Sequence, residues 1–363
     1  MRHRMRTHAH AEHFLLIVAA SLSAASCDAS SGANHPHQYA EFSFENDTRS
    51  LCAGSEIHLN SYFERAFKFL DIAAPTDFSV PVRVTNEIPC PWRACYQPDR
   101  RAVYIADLDA PGDRTGAVLR HELTHAIIDR FWGQGLPFLE EGLAESLSRT
   151  LDRAPPPAPE PVGDMLDRVP AEVDYTAAAY FTRFLIDTRG LARFKRLFQQ
   201  SLGRSRAEIE ALVASIYGES FVALEAEYLS GPARCQYQLD VCELELAAAV
   251  GDRFHVTRAA SCDDPDFYGS EGDDDLDIAA QQTIAIESGG TYRLQIAYDV
   301  PPLSTEYPRS QVILTRCGDC DEQSSRTFRQ TDEELQLEAG IYALEIVMPF
   351  DTVVTIDLRR VDP

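Results

Sequence analysis

His121-Glu-Leu-Thr-His125 sets two imidazoles four residues apart with a carboxylate beside the first. In a helix these positions share one face a turn apart, so both rings reach one metal ion. Glu122 then stands where it can take a proton from a water held there. Ala117, Val118 and Leu119 before the pattern and Ala126, Ile127 and Ile128 after it suit such a helix. A catalytic site of this kind uses three protein ligands and leaves one position to water, so a third ligand is required. A Gly three residues and a His six residues after His125 would supply it in one class of sites, but Ile128 and Phe131 stand there. Downstream, Leu136-Pro-Phe-Leu-Glu-Glu-Gly-Leu-Ala-Glu145 reads as a second helix after a Gly/Pro turn. Glu141 and Glu145 lie one turn apart on it, so one can bind the metal while the other holds a ligand histidine. The bland alternative is two surface histidines and an acidic helix face.

The elements that must position these residues follow from hydrophobic spacing. Tyr39 to Phe44, Val80 to Val84 and Ala102 to Ala106 read as strands, and Glu56 to Ile72 as a helix with Leu59, Tyr62, Phe63, Phe67 and Leu70 on its apolar face. From about 115 to 230 the pattern is helical, broken at Gly133-Gln-Gly and at the Pro-rich 154–161. After about 233 the texture becomes alternating strands: Gln282–Ile286, Thr291–Ile296, Gln311–Leu314, Leu335–Leu337, Ile341–Ile346 and Val353–Leu358. That spacing predicts a β-sandwich. The fold class expected is therefore α+β, with domains over 39–232 and 233–363. The strand Ala102–Ala106, just before the metal-binding helix, is a candidate edge for pairing with an extended substrate.

Residues 1–26 read as an export signal: Arg2, Arg4 and Arg6, then the apolar run from Phe14 to Ala20, then small residues. That run is too short to span a bilayer. Ala24-Ala-Ser-Cys27 resembles a bacterial lipobox, with Ala24 where Leu is usual, which makes Cys27 the lipidation site and 27–38 a tether. Cleavage to a secreted chain is the alternative. Removing Cys27 from nine cysteines leaves eight, an even set that in an exported chain reads as disulfides. Three precede residue 100 and five follow residue 230, so a bridge between the groups is expected; Cys317 and Cys320 read as structural sulfurs. The net charge of −24 and pI near 4.7 exclude nucleic acid as a partner. The acidic stretch within 263–277 is a candidate calcium loop without EF-hand spacing, and a solvated loop is the stronger reading.

His121-Glu-x-x-His125, fifteen residues, then Glu141-Gly-Leu-Ala-Glu145 resembles the gluzincins, in particular the bacterial peptidase-MA-like proteins. The resemblance covers roughly 50–230. It implies a zincin domain with a small N-terminal sheet and a mostly helical second half, zinc held by His121, His125 and Glu141, and Glu122 as general base. It also implies Glu145 as support for a ligand histidine and Glu140 as the fallback ligand. Asp174-Tyr175-Thr-Ala-Ala-Ala-Tyr180 resembles the later helix of that superfamily and implies Tyr175 as oxyanion donor, with Tyr180 the alternative. The segment that grips a free amino terminus is missing, so the implied activity is an endopeptidase acting on peptides or proteins. The C-terminal half resembles the prepeptidase C-terminal type of sandwich, through Leu337-Glu-Ala-Gly-Ile-Tyr-Ala-Leu. The membrane enters only through the lipid anchor, on the periplasmic or cell-surface side. The rival expectation is a catalytically silent surface-binding lipoprotein that kept the fold.

Overall fold

A computed structural model describes residues 38–45, 50–106, 116–148, 158–237, 239, 242, 251, 253–271, 277–299, 310–318, 325–329, 331–350 and 352–361. The expected signal, Cys27 and all of the tether but Gln38 lie outside them. The first half runs β1 (Ala40–Phe44), β2 (Ser50–Leu51), α1 (Ala53–Phe69), β3 (Val80–Val84), β4 (Ala94–Gln97) and β5 (Ala102–Ile105). Then come α2 (Ala117–Phe131), α3 (Pro137–Ser148), two short 3-10 turns, α4 (Tyr175–Arg189), α5 (Leu191–Ser201), α6 (Arg206–Tyr217) and α7 (Phe221–Ser230). The fold is mixed α and β, consistent with an α+β class.

β1, β3 and β5 are parallel and β4 closes the sheet antiparallel, in the order β1-β3-β5-β4. This corrects the expectation for Ala102–Ala106. β5 is an inner strand, and all four of its residues are buried, as a strand covered on both faces must be. The chain folds back through 98–101, where Arg101 takes φ +49°, and lays β4 over β5's outer side. The edge on the β5 side of the sheet therefore belongs to β4. α1 begins at Ala53, three residues earlier than the apolar spacing suggests, directly after the bridged Cys52.

One apolar cluster joins this sheet to the helices, from Tyr39 through Val82, Ile127, Phe138 and Phe181 to Leu224. Gly142 on α3 meets α4 with no room for a side chain: a Cβ there would stand 2.5 Å from Thr182 Oγ1 and 2.7 Å from the Ala178 carbonyl. Such an approach is open only to glycine.

Among its described residues the regular elements of the second half are all strands: β6 (Arg253–Ala259), β7 (Phe267–Tyr268), β8 (Ser270–Glu271), β9 (Asp277–Ile286), β10 (Gly290–Tyr298), β11 (Gln311–Arg316), β12 (Ser325–Phe328), β13 (Thr331–Leu337), β14 (Gly340–Pro349) and β15 (Val353–Arg360). Two antiparallel sheets form, β13-β10-β15-β6 and β12-β11-β14-β9-β7. Both feed one apolar cluster, Leu294, Ile296 and Ile356 from the first and Val312, Leu344 and Ile346 from the second.

The halves are joined where α1 begins. β2 pairs with β8, Cys52 is bridged to Cys262, and Ser55 Oγ donates to the Gly269 carbonyl at 2.8 Å. The first turn of α1 has no side-chain cap; the amides of Cys52 and Ala53 donate instead to the carbonyls of Gly269 and Cys262. Cys90–Cys95 and Cys242–Cys317 are also bridged, and Cys235 is disulfide-bonded. Cys317 thus pairs outside its CxxC; Cys320 lies outside the described residues. Bridges of this number point to an oxidising, exported setting. None of the described helices is long and apolar enough to cross a membrane.

Candidate metal centre

α2 carries His121, Glu122 and His125, and its register is fixed by buried polar contacts. The Tyr62 hydroxyl lies 2.6 Å from Thr124 Oγ1, and Arg120, fully buried, donates from Nε to the Ser148 carbonyl at the end of α3. α3 starts at Pro137, whose missing amide costs nothing in a first turn. Glu140 Oε1 accepts from the Gly135 amide at 2.6 Å, and Leu136 N donates to Ser201 Oγ. With Glu140 so engaged, Glu141 and Glu145 face α2 from consecutive turns, both buried.

Three donor atoms converge. His121 Nε2 lies 3.0 Å from Glu141 Oε2 and 3.1 Å from His125 Nε2, and His125 Nε2 lies 3.3 Å from the same carboxylate oxygen. A divalent cation bound at about 2.0–2.1 Å by tetrahedral donors sets them about 3.3–3.4 Å apart, so the observed spacing fits within a few tenths of an ångström. Two imidazole nitrogens this close repel unless a cation or a proton lies between them. His121, His125 and Glu141 are also the only group among the described residues arranged to hold a metal ion. The carboxylates of 263–266 form no such group: Asp264 Oδ1 accepts from the Asp266 amide, and Asp266 pairs with Arg258. Residues 272–276 of that stretch lie outside the described residues.

The other nitrogen of His121, Nδ1, lies 3.3 Å from Glu145 Oε2. A carboxylate there holds the ring's remaining N–H and directs the Nε2 lone pair toward the Glu141 side. Burial lowers the His121 pKa, but the hydrogen bonds to Glu141 and Glu145 outweigh it and push it up to about 10. Burial pushes Glu141 the opposite way, upward, yet the His125 charge and the hydrogen bonds from both imidazoles hold it well below the usual carboxylate range. Without metal, a proton takes the cation's place.

Glu122 turns to the sheet: its Oε2 accepts from the Tyr96 amide of β4 at 2.7 Å. The Tyr175 ring, at the start of α4, stacks on the His121 ring with centroids 5.4 Å apart and planes within 7°. Burial and the charges of Glu141 and Glu122 raise its phenol pKa, so the hydroxyl stays protonated. Tyr180 is instead packed in the core. The cleft over these groups has a volume of about 740 Å³.

All the residues singled out in the sequence near this site are therefore adjacent except Tyr180. Those missed are on β4 and α2. The Tyr96 hydroxyl donates to Asp129 Oδ2 at 2.9 Å, joining the edge strand to the turn of α2 beyond His125. Asp129, four residues after His125, had a signal in its spacing; β4, four residues long without alternation, had none. Compared with known proteins, the chain matches no family model and no curated protein.

Proposed function

We propose that this chain is an exported zinc-dependent peptidase of the gluzincin type, with a zincin-like first half and a β-sandwich second half. In this reading it is anchored through a lipidated Cys27 and cleaves internal peptide bonds of polypeptides. The observation that carries the reading is the meeting of His121, His125 and Glu141 on one point, with a carboxylate and a phenol beside it. Two imidazoles and one carboxylate are the donor set of a catalytic zinc site with one position open.

Zinc held by these three residues supplies Lewis-acid polarisation of a carbonyl and acidifies water. Glu122 removes the proton of the attacking water and passes it to the departing amine. The Tyr96 amide holds the Glu122 carboxylate at the cleft wall in the meantime. Tyr175, kept protonated, donates to the oxyanion as charge develops on the carbonyl oxygen. Glu145 keeps His121 in the tautomer that binds metal. The open edge of β4, beside Glu122, is where an extended substrate adds as a further strand.

Metal analysis of the purified chain, with cleavage of an unfolded protein by wild type and by Glu122→Gln, tests this. Zinc near one per chain, with cleavage by wild type alone, is the expected result. Zinc without cleavage in either form would favour the silent binding protein, and no metal at all would end both readings.

A further inference from the structure

The cleft has an apolar mouth that the chemistry above does not use. Nine large apolar residues are exposed among the described residues, and two of them, Trp92 (54% exposed) and Val118 (40%), border this one cleft. Trp92 is the only aromatic of the nine. It rides on the loop Cys90-Pro-Trp-Arg-Ala-Cys95, closed into a small ring by the Cys90–Cys95 bridge. The ring is anchored from behind, where Cys95 packs with Ala102 and Tyr104 and Cys90 and Ile88 lie against them. An exposed indole adds little to the stability of the free chain, whereas a bridge that fixes it lowers the entropy cost of binding something against it.

The loop runs straight into β4. The Arg93 carbonyl accepts from the Ala106 amide at 2.8 Å, and Cys95 stands opposite Tyr104. Antiparallel pairing alternates, so the main-chain groups of Arg93 and Cys95 turn to β5 while those of Ala94 and Tyr96 turn to the open edge. The Tyr96 amide on Glu122 agrees with this. Arg93 and Tyr96 are about 10 Å apart along an extended strand, so a chain laid on β4 over Glu122 reaches the Trp92 loop within about three or four residues.

We propose that Trp92, with Val118 lining the same cleft, forms a specificity subsite that takes an aromatic or large aliphatic side chain of an extended polypeptide. The bridged loop holds the indole in place for that contact. This rests on the reading that polypeptide binds along β4. It names the substrate class that the metal chemistry leaves open: stretches rich in large apolar residues, such as unfolded proteins expose.

Binding is measured on the zinc-loaded full chain carrying Glu122→Gln, by anisotropy of short fluorescein-labelled peptides that carry either Phe or Ala at successive positions. Phe peptides should bind about tenfold tighter than their Ala counterparts at one position, the scale of a single aromatic anchor. Adding Trp92→Ala should reduce that preference to about threefold or less, and Trp92→Phe should restore it. The chain has only two tryptophans, and Trp132 is buried, so emission should shift to the blue on binding Phe peptides, through Trp92. An unchanged Phe preference in Trp92→Ala overturns the proposal, as does failure of every peptide to bind. Cleavage by wild type judges the peptidase reading separately. Cleavage with Trp92-independent preference removes the subsite alone; Trp92-dependent binding without cleavage keeps the subsite and removes the hydrolase.

Discussion

The two halves use charge in opposite ways. In the helical half, Arg120, His121, Glu141 and Glu145 are buried within two adjacent helices, where each charge needs a partner. In the strand half, where 233–363 carry a net charge of −16, the paired acids Asp266, Asp332 and Glu338 meet arginines at the surface, and the buried Asp357 meets the exposed Arg253. Arg293 with Asp332 is the type: bonds of 2.6 and 2.7 Å, both side chains well exposed, and the Asp332 carboxyl pulled down to about 2 by that guanidinium. Both arrangements shift a pKa strongly, but only the first removes charge from water. A large shift marks a functional centre only where burial accompanies it.

Four experiments would break or sharpen that contrast. The largest effect belongs to Glu122→Gln, which should lower peptide cleavage by about 10²–10⁴-fold while zinc content stays at wild-type level. Glu141→Ala should instead lose the metal, because two imidazoles alone leave the site a ligand short. Elemental analysis beside the cleavage assay separates the two, and retained zinc in Glu141→Ala would contradict the ligand assignment.

Gly142→Ala comes next. It forces a methyl group onto the α4 backbone and should destabilise the fold by about 1–3 kcal/mol, read as a lower Tm. Gly218→Ala, where nothing lies within 4 Å but φ is +78°, suffers backbone strain without a clash and should cost about 1 kcal/mol. Equal losses would mean that α3 and α4 are not in close contact.

The third concerns pH. In the metal-free chain His121 titrates near 10, above the ordinary imidazole value. Its protonated form therefore stabilises that fold, fully below about pH 6.5, and the contribution fades as pH rises through about 10. A metal ion has to displace this proton, so zinc affinity should rise between about pH 6.5 and 9, with about one proton released per ion. Calorimetry in buffers of different ionisation enthalpy reads the proton directly, and a pH-independent affinity would contradict the shared-proton arrangement. The smallest effect is Arg293→Ala, which should scarcely move the Tm, since an exposed pair is screened by water and salt.

What could be read from the sequence divides along the same physical line. The His121–His125 spacing encodes its own geometry, because a helix fixes it within one turn. The strands 282–286, 291–296 and 353–358 show in alternation and lie within β9, β10 and β15. Glu141 needed the family resemblance, since consecutive-turn carboxylates alone do not say which one meets the metal. Sequence spacing points to Ala102–Ala106 as the edge strand because β4 is too short to show a period, and the place of β4 depends on a fold-back at Arg101. A bridge between the cysteine groups follows from an odd count; that it joins Cys52 to Cys262 depends on an approach across 210 residues.

The carbonyls of Cys262 and Gly269 that receive the opening amides of α1 have a practical consequence. A fragment ending after α7 would start its longest helix with those amides dangling and the Cys52 thiol bare. A fragment meant to isolate the metal-binding half should therefore keep the residues through 271, or replace Cys52 and supply a fresh start signal for that helix.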